Sequence, residues 1–154
     1  MCAGGLRRFR GVGDALRGRS RESRSVLFAH RNVLEINVEG GNQKDRVVLM
    51  ENNNCSRGFD NGYDGSKFLS SGMAQIYATN DFGKTEINCD AVMAGNYIGF
   101  AAAKNGVKYT LSFNTDRLEG YNKLFLYDTE NGRYIDILAG NMVNDTVWRL
   151  FPNK

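Results

Sequence analysis

The sequence predicts an all-β fold, an antiparallel β-sandwich of jelly-roll type with about nine short strands, and three observations point to it. From residue 33 onward apolar side chains recur at every second position, the period of a strand with one buried face. Turn-forming clusters interrupt the chain every ~8–12 residues, the spacing typical of sandwiches and barrels. Eighteen glycines against a single proline, Pro152, supply many turns and few rigid breaks.

Taken in order, Leu34, Ile36 and Val38 alternate with Glu35, Asn37 and Glu39 to give a first half-buried strand. The turn Gly40-Gly41-Asn42 leads into a second apolar stretch over 45–50. A short helical turn is expected only at 66–71. Residues 75–79 and 85–89 flank Asn80-Asp81-Phe82-Gly83 as a hairpin. Residues 97–103 form a mostly apolar run, followed by Asn105-Gly106. The cleanest alternation comes next, with Val107, Tyr109, Leu111 and Phe113 against Lys108, Thr110 and Ser112. Because Asn-Gly accepts positive φ at both turn positions, a tight type I′ hairpin joining these two strands is the strongest local expectation. Strands at 124–127 and 134–138 flank the loop from Asp128 to Gly132, and 147–151, with Trp148, closes the fold.

Charge divides the chain in two. Its net charge is +3. Residues 1–29 hold seven arginines against Asp14 and Glu22, which is +5, while 30–154 hold thirteen basic and fifteen acidic residues, which is −2. The first segment, an Arg/Gly-rich arm over 1–29, has too few apolar side chains to fold alone and is expected to be disordered. The β-sandwich domain is expected over 30–154, where 42 % hydrophobic and 24 % charged residues in the whole chain fit a globular unit. An arginine-rich arm attracts phosphate backbones, so nucleic-acid binding is one reading of it, and an unstructured leader is the plainer one. No apolar h-region follows the arginines, so no signal peptide is expected within this chain. No apolar run approaches the ~20 residues of a membrane span, so no transmembrane segment is expected.

Cys2, Cys55 and Cys89 show no CxxC spacing, which argues against a zinc or redox motif. Cys55 and Cys89 either pair in an oxidising compartment or, the reading preferred on sequence, stay as two separate buried thiols.

The segment Phe59-Asp60-Asn61-Gly62-Tyr63-Asp64-Gly65-Ser66-Lys67-Phe68 breaks the alternation with aromatics, carboxylates and glycines. Asp60 and Asp64 could converge on Ca²⁺. Gly62 and Ser71, however, stand where an EF-hand loop needs oxygen ligands, and the loop thereby loses half its charged donors. The alternative is an Asx-type turn in which both carboxylates accept backbone N–H bonds while Phe59, Tyr63 and Phe68 pin the loop to the core.

This segment, followed by Gln75-Ile76-Tyr77, Ile98-Gly99-Phe100-Ala101-Ala102, Gly106-Val107-Lys108-Tyr109-Thr110-Leu111 and Leu126-Tyr127-Asp128, resembles a β-sandwich module near the carboxyl end of secreted and surface-exposed proteins of Bacteroides-like bacteria. There the pattern reads roughly FDxGYDGxK, PQIY, plGFxA, GxYTL and LxDxxTGxxxDL, over about residues 33–140. This sequence carries Ala74 where the proline stands and Asn131 where the threonine stands. The resemblance implies a non-catalytic accessory domain of adhesin-like proteins, located at the cell surface or secreted, with this chain a fragment or stand-alone remnant of such a protein.

No nucleophile-elbow, zinc-protease, P-loop or dinucleotide motif is present, and the single histidine, His30, sits at the arm–domain junction, so no enzyme activity is expected. Asp128 and Glu130 are close in sequence, but as turn residues rather than a glycosidic acid–base pair. The leading function is therefore a structural or interaction module whose partner is another surface protein. A carbohydrate-binding module is the alternative, with a glycan stacked on Tyr63, Tyr121 or Trp148.

Overall fold

The computed structural model describes residues 32–139, 143–145 and 150–151. The arginine-rich arm with its junction, His30, Cys2 and Trp148 lie outside the described residues. Among those described there are eleven strands and no helix, so the turn expected at 66–71 does not form. The strands are β1 (Asn32–Gly40), β2 (Gln43–Glu51), β3 (Gly65–Ser66), β4 (Gln75–Asn80), β5 (Gly83–Asp90), β6 (Tyr97–Ala101), β7 (Tyr109–Arg117), β8 (Phe125–Asp128), β9 (Arg133–Asp136), β10 (Val143–Asp145) and β11 (Leu150–Phe151). The fold is the expected all-β sandwich.

Strand order runs β10-β7-β1-β2-β5-β4-β6-β11-β8-β9. The sheet curls so that the two halves of this path face each other across one apolar core. Leu34, Ile36 and Val38 of β1, Val47 and Leu49 of β2, and Tyr109 and Leu111 of β7 line one side. Ile76 and Ala78 of β4, Ile98 of β6, Leu126 of β8 and Ile135 of β9 line the other. Phe100 meets Tyr109 edge-on at 4.9 Å between ring centroids. Such edge-on pairs add about 0.5–1.5 kcal/mol to the area they bury.

β5 is the strand that joins the two halves. Its first part, Gly83 to Thr85, pairs antiparallel with β4; its second, Ile87 to Asp90, pairs parallel with β2. Every other pair in the sheet is antiparallel. Parallel neighbours need a long crossover, and residues 52–82 provide it, which places the Phe59–Phe68 segment beside β5. β5 contributes no side chain to the contiguous apolar cluster; its buried residues are Thr85, Asn88, Cys89 and Asp90.

One local expectation is overturned. β6 and β7 do not form a hairpin across Asn105-Gly106: β6 pairs with β4 and β11, and β7 pairs with β1 and β10. The reason is burial. Leu111 registers with Val38 on one side of the core and Ile98 with Ala78 on the other, so the intervening segment must cross between the halves. The two-residue turn with positive φ at both positions occurs instead at Gly41 (57°) and Asn42 (62°), closing β1 onto β2. The hairpins at 80–83 and 128–133 form as expected, with Asn80 opposite Gly83 and Asp128 opposite Arg133.

Candidate functional site

The FDxGYDGxK-like segment is a clasp rather than an open loop. Asp60, buried, places Oδ2 2.5 Å from the Ser56 amide and 3.3 Å from the Ser56 hydroxyl, both of which donate to it. Asp64 accepts the Asp60 amide on Oδ2 at 2.8 Å and the Cys89 amide of β5 on Oδ1 at 2.6 Å. Gly62 sits between them at φ 88°, a left-handed conformation that favours glycine, and the Tyr63 and Asp64 amides donate to the Asp60 carbonyl at 3.0 Å. Gly65 opens β3 and pairs with Ile87. Lys67 then closes the clasp: its ammonium lies 2.6 Å from Asp45 Oδ2, which also accepts the Ile76 amide of β4 at 2.9 Å. Three carboxylates thus fasten one irregular segment to β2, β4 and β5.

This geometry settles what each expected group touches. Asp60 and Asp64 spend their oxygens on backbone N–H donors, as an Asx-type turn requires, and no group of three or more potential metal ligands occurs among the described residues. Phe68 does not pin the loop. It is 85 % exposed, while Phe59 and Tyr63 are half-buried. Phe68 falls one residue past the Lys67 ion pair, where the chain turns out to solvent.

Burial pushes the Asp64 carboxyl above the ordinary carboxylate value, against the pull of its two amide donors. The folded protein therefore holds this proton more tightly than the unfolded chain. Its contribution favours the fold at low pH and is lost as pH rises through the folded pKa. Asp64→Asn cannot titrate. In melts recorded from neutral pH down towards 4, the wild type should gain on that variant as pH falls. A gap that moved the other way would mean the clasp is held by the charged form.

Tyr121 serves a second polar cluster. Its hydroxyl donates to Glu51 Oε1, which also accepts the Met93 amide at 2.8 Å, while Asn32 donates to Glu51 Oε2 at 2.5 Å. The Glu119 amide completes the set by donating to Asn32 Oδ1 at 2.6 Å. Glu51 and Asn32 are both buried. The cluster joins the start of β1, the end of β2 and the two loops that follow β5 and β7. Asp128, fully buried, accepts the Glu130 and Asn131 amides and the Asn131 side chain, which makes it the organiser of the β8–β9 turn.

Two further features lie outside these clusters. A shallow cleft of about 240 Å³ beside β5 is lined by Arg57, Asn80, Asp81, Asn88, Asp90, Asn96 and Tyr97. Asn80 donates to Asn88 at 3.2 Å and Asn88 to Asn96 at 2.7 Å, while Arg57 faces Asp90 at 3.6 Å. The eight-residue spacing of the three asparagines was the available signal. The other is an aromatic patch on the β8–β9 hairpin. Tyr127 and Tyr134 sit opposite each other with centroids 4.7 Å apart, Phe125 meets Tyr134 at 6.1 Å, and Phe125 and Tyr134 are 47 % and 54 % exposed.

Among the described residues no helix is long and apolar enough to cross a membrane. No family model matches the chain, and no solved structure matches it. The chain spans about a tenth of the length of the curated relative it matches. It is 35 % identical over 124 residues, 79 % of its own length, to the minor fimbrium subunit Mfa5 of Porphyromonas gingivalis.

Proposed function

We propose that this chain is a non-catalytic structural module of a fimbrial or adhesin-like assembly at the bacterial surface, with other surface proteins as its partners. The observation that carries the reading is the 35 % identity to a fimbrium subunit over most of the chain. The resemblance of its clasp segment to modules of surface-exposed proteins supports the same reading. So do the structural roles of its buried and half-buried acids. Glu51, Asp60 and Asp128, which are buried, and Asp64, which is half-buried, each fasten backbone to backbone, which is the work of a scaffold. The exposed aromatics of the β8–β9 hairpin offer apolar area for contact with a neighbouring protein. A glycan-binding role would have to use the ring face of Tyr121, since its hydroxyl donates to Glu51.

The reading is tested in the source bacterium with antibodies raised against residues 32–139. Immunogold labelling of intact cells should decorate surface appendages, and mechanically sheared appendages should carry the antigen into the high-mass fraction. Antigen confined to the interior of lysed cells, with bare appendages, would overturn it.

A further inference from the structure

Cys55 and Cys89 come from segments far apart in sequence, yet the fold seats both at the end of β5, Cys89 within the strand and Cys55 on the turn tied to it. Both are free thiols, 7 % and 0 % exposed. The backbone on either side of the pair is fixed. The Asn52 amide donates to the Asp90 carbonyl at 3.0 Å and the Cys55 amide to the Asn52 carbonyl at 2.9 Å, so the turn carrying Cys55 hangs from the end of β5. Asp60 holds the amide of Ser56, next to Cys55, and Asp64 holds the amide of Cys89 itself, while the Asp60 amide ties the two carboxylates together. Neither thiol belongs to the contiguous apolar cluster between the two halves of the sheet.

We propose that Cys55 and Cys89 form a built site for an intramolecular disulfide, made by exchange with an oxidised thiol–disulfide donor of an oxidising compartment. One cysteine thiolate attacks a sulfur of the donor disulfide and releases the donor's other sulfur as a thiol. The second cysteine thiolate then displaces the donor from the mixed disulfide. The two protein thiols lose two protons and two electrons, the donor disulfide takes them up, and a dithiol leaves. The clasp fixes when this happens. Both thiols are buried, so the folded, reduced protein offers an incoming donor disulfide almost no access to either sulfur. Exchange therefore belongs to the folding stage, before the segment from Ser56 to Lys67 closes.

The test needs no assumption about the chain's location. The full chain, with Cys2→Ser to remove the third thiol, is unfolded and refolded in a glutathione redox buffer or in excess reductant. Each product is then denatured and alkylated without further reduction, and its intact mass is measured. The oxidatively refolded protein should take up no alkyl group and the reduced protein two. The oxidised form should melt about 10 °C higher, since the bond closes a loop of intermediate length. Folded, reduced protein placed in the same buffer should convert far more slowly than the refolding chain. Cys89→Ser should abolish the redox dependence of melting, and the comparison of the two wild-type-like forms stands even if that variant fails to fold. Two alkylatable thiols after oxidative refolding, a glutathione on each cysteine, or an oxidised form that melts lower than the reduced one would each overturn the proposal.

Discussion

Glu51→Ala is expected to lower the unfolding free energy by about 3 kcal/mol, because it strands three donors in a buried site at once. Asn32, Tyr121 and the Met93 amide all donate to this carboxylate, and alanine offers none of them an acceptor. Each buried donor left unpaired costs roughly 1–3 kcal/mol, and partial entry of water into the space the side chain vacates recovers some of it. Chemical denaturation followed by tryptophan or tyrosine emission measures the loss, and the melting midpoint should fall by roughly 10 °C. Tyr121→Phe alone should cost about 1 kcal/mol, the net worth of one hydrogen bond. Combined with Glu51→Ala it should cost almost nothing further, since its acceptor has gone. A full additional penalty in the double variant would show that Tyr121 acts through some other partner.

Asp60→Ala is expected to be nearly as damaging, by about 2–4 kcal/mol, for a related reason. The carboxylate is 1 % exposed and is the acceptor for both the amide and the hydroxyl of Ser56. Its loss leaves those donors without their acceptor and frees the turn that carries Cys55. Two readouts should therefore move together. The melting midpoint should drop, and in folded, reduced protein Cys55 and Cys89 should become accessible to a thiol reagent that hardly touches the wild type. Asp60→Asn keeps one carbonyl acceptor and should lie between the two. A stability loss with the thiols still shielded would mean that the clasp and the cysteine pair are independent.

Local alternation was readable wherever a strand has one face in the core and one in water. β1 shows this best, with Leu34, Ile36 and Val38 buried and the residues between them half-buried. The β4–β5 and β8–β9 hairpins were readable for a similar reason, since each couples neighbours in sequence through a short polar turn. Partner choice was not. The preference of Asn105-Gly106 for a tight turn is worth less than burying Leu111 and Ile98 in opposite halves of the core, and tertiary packing won. The parallel pairing of β2 with β5 has no local signature, because both strands would look the same beside any other partner. The clasp was visible as an oddity of composition, and the Asx-type role weighed for Asp60 and Asp64 describes what they do. The Glu51 cluster was invisible, since Tyr121 lies seventy residues away and an isolated glutamate at a strand end carries no pattern.

β1 is bonded along nine positions to β2 on one side and along six to β7 on the other. If tension enters the molecule at Asn32, both ladders lie along the line of pull and must slide as a whole before either can part. A strand at the margin of a sheet would peel away one rung at a time. In such a pull the greatest resistance would lie at the point where the load first arrives.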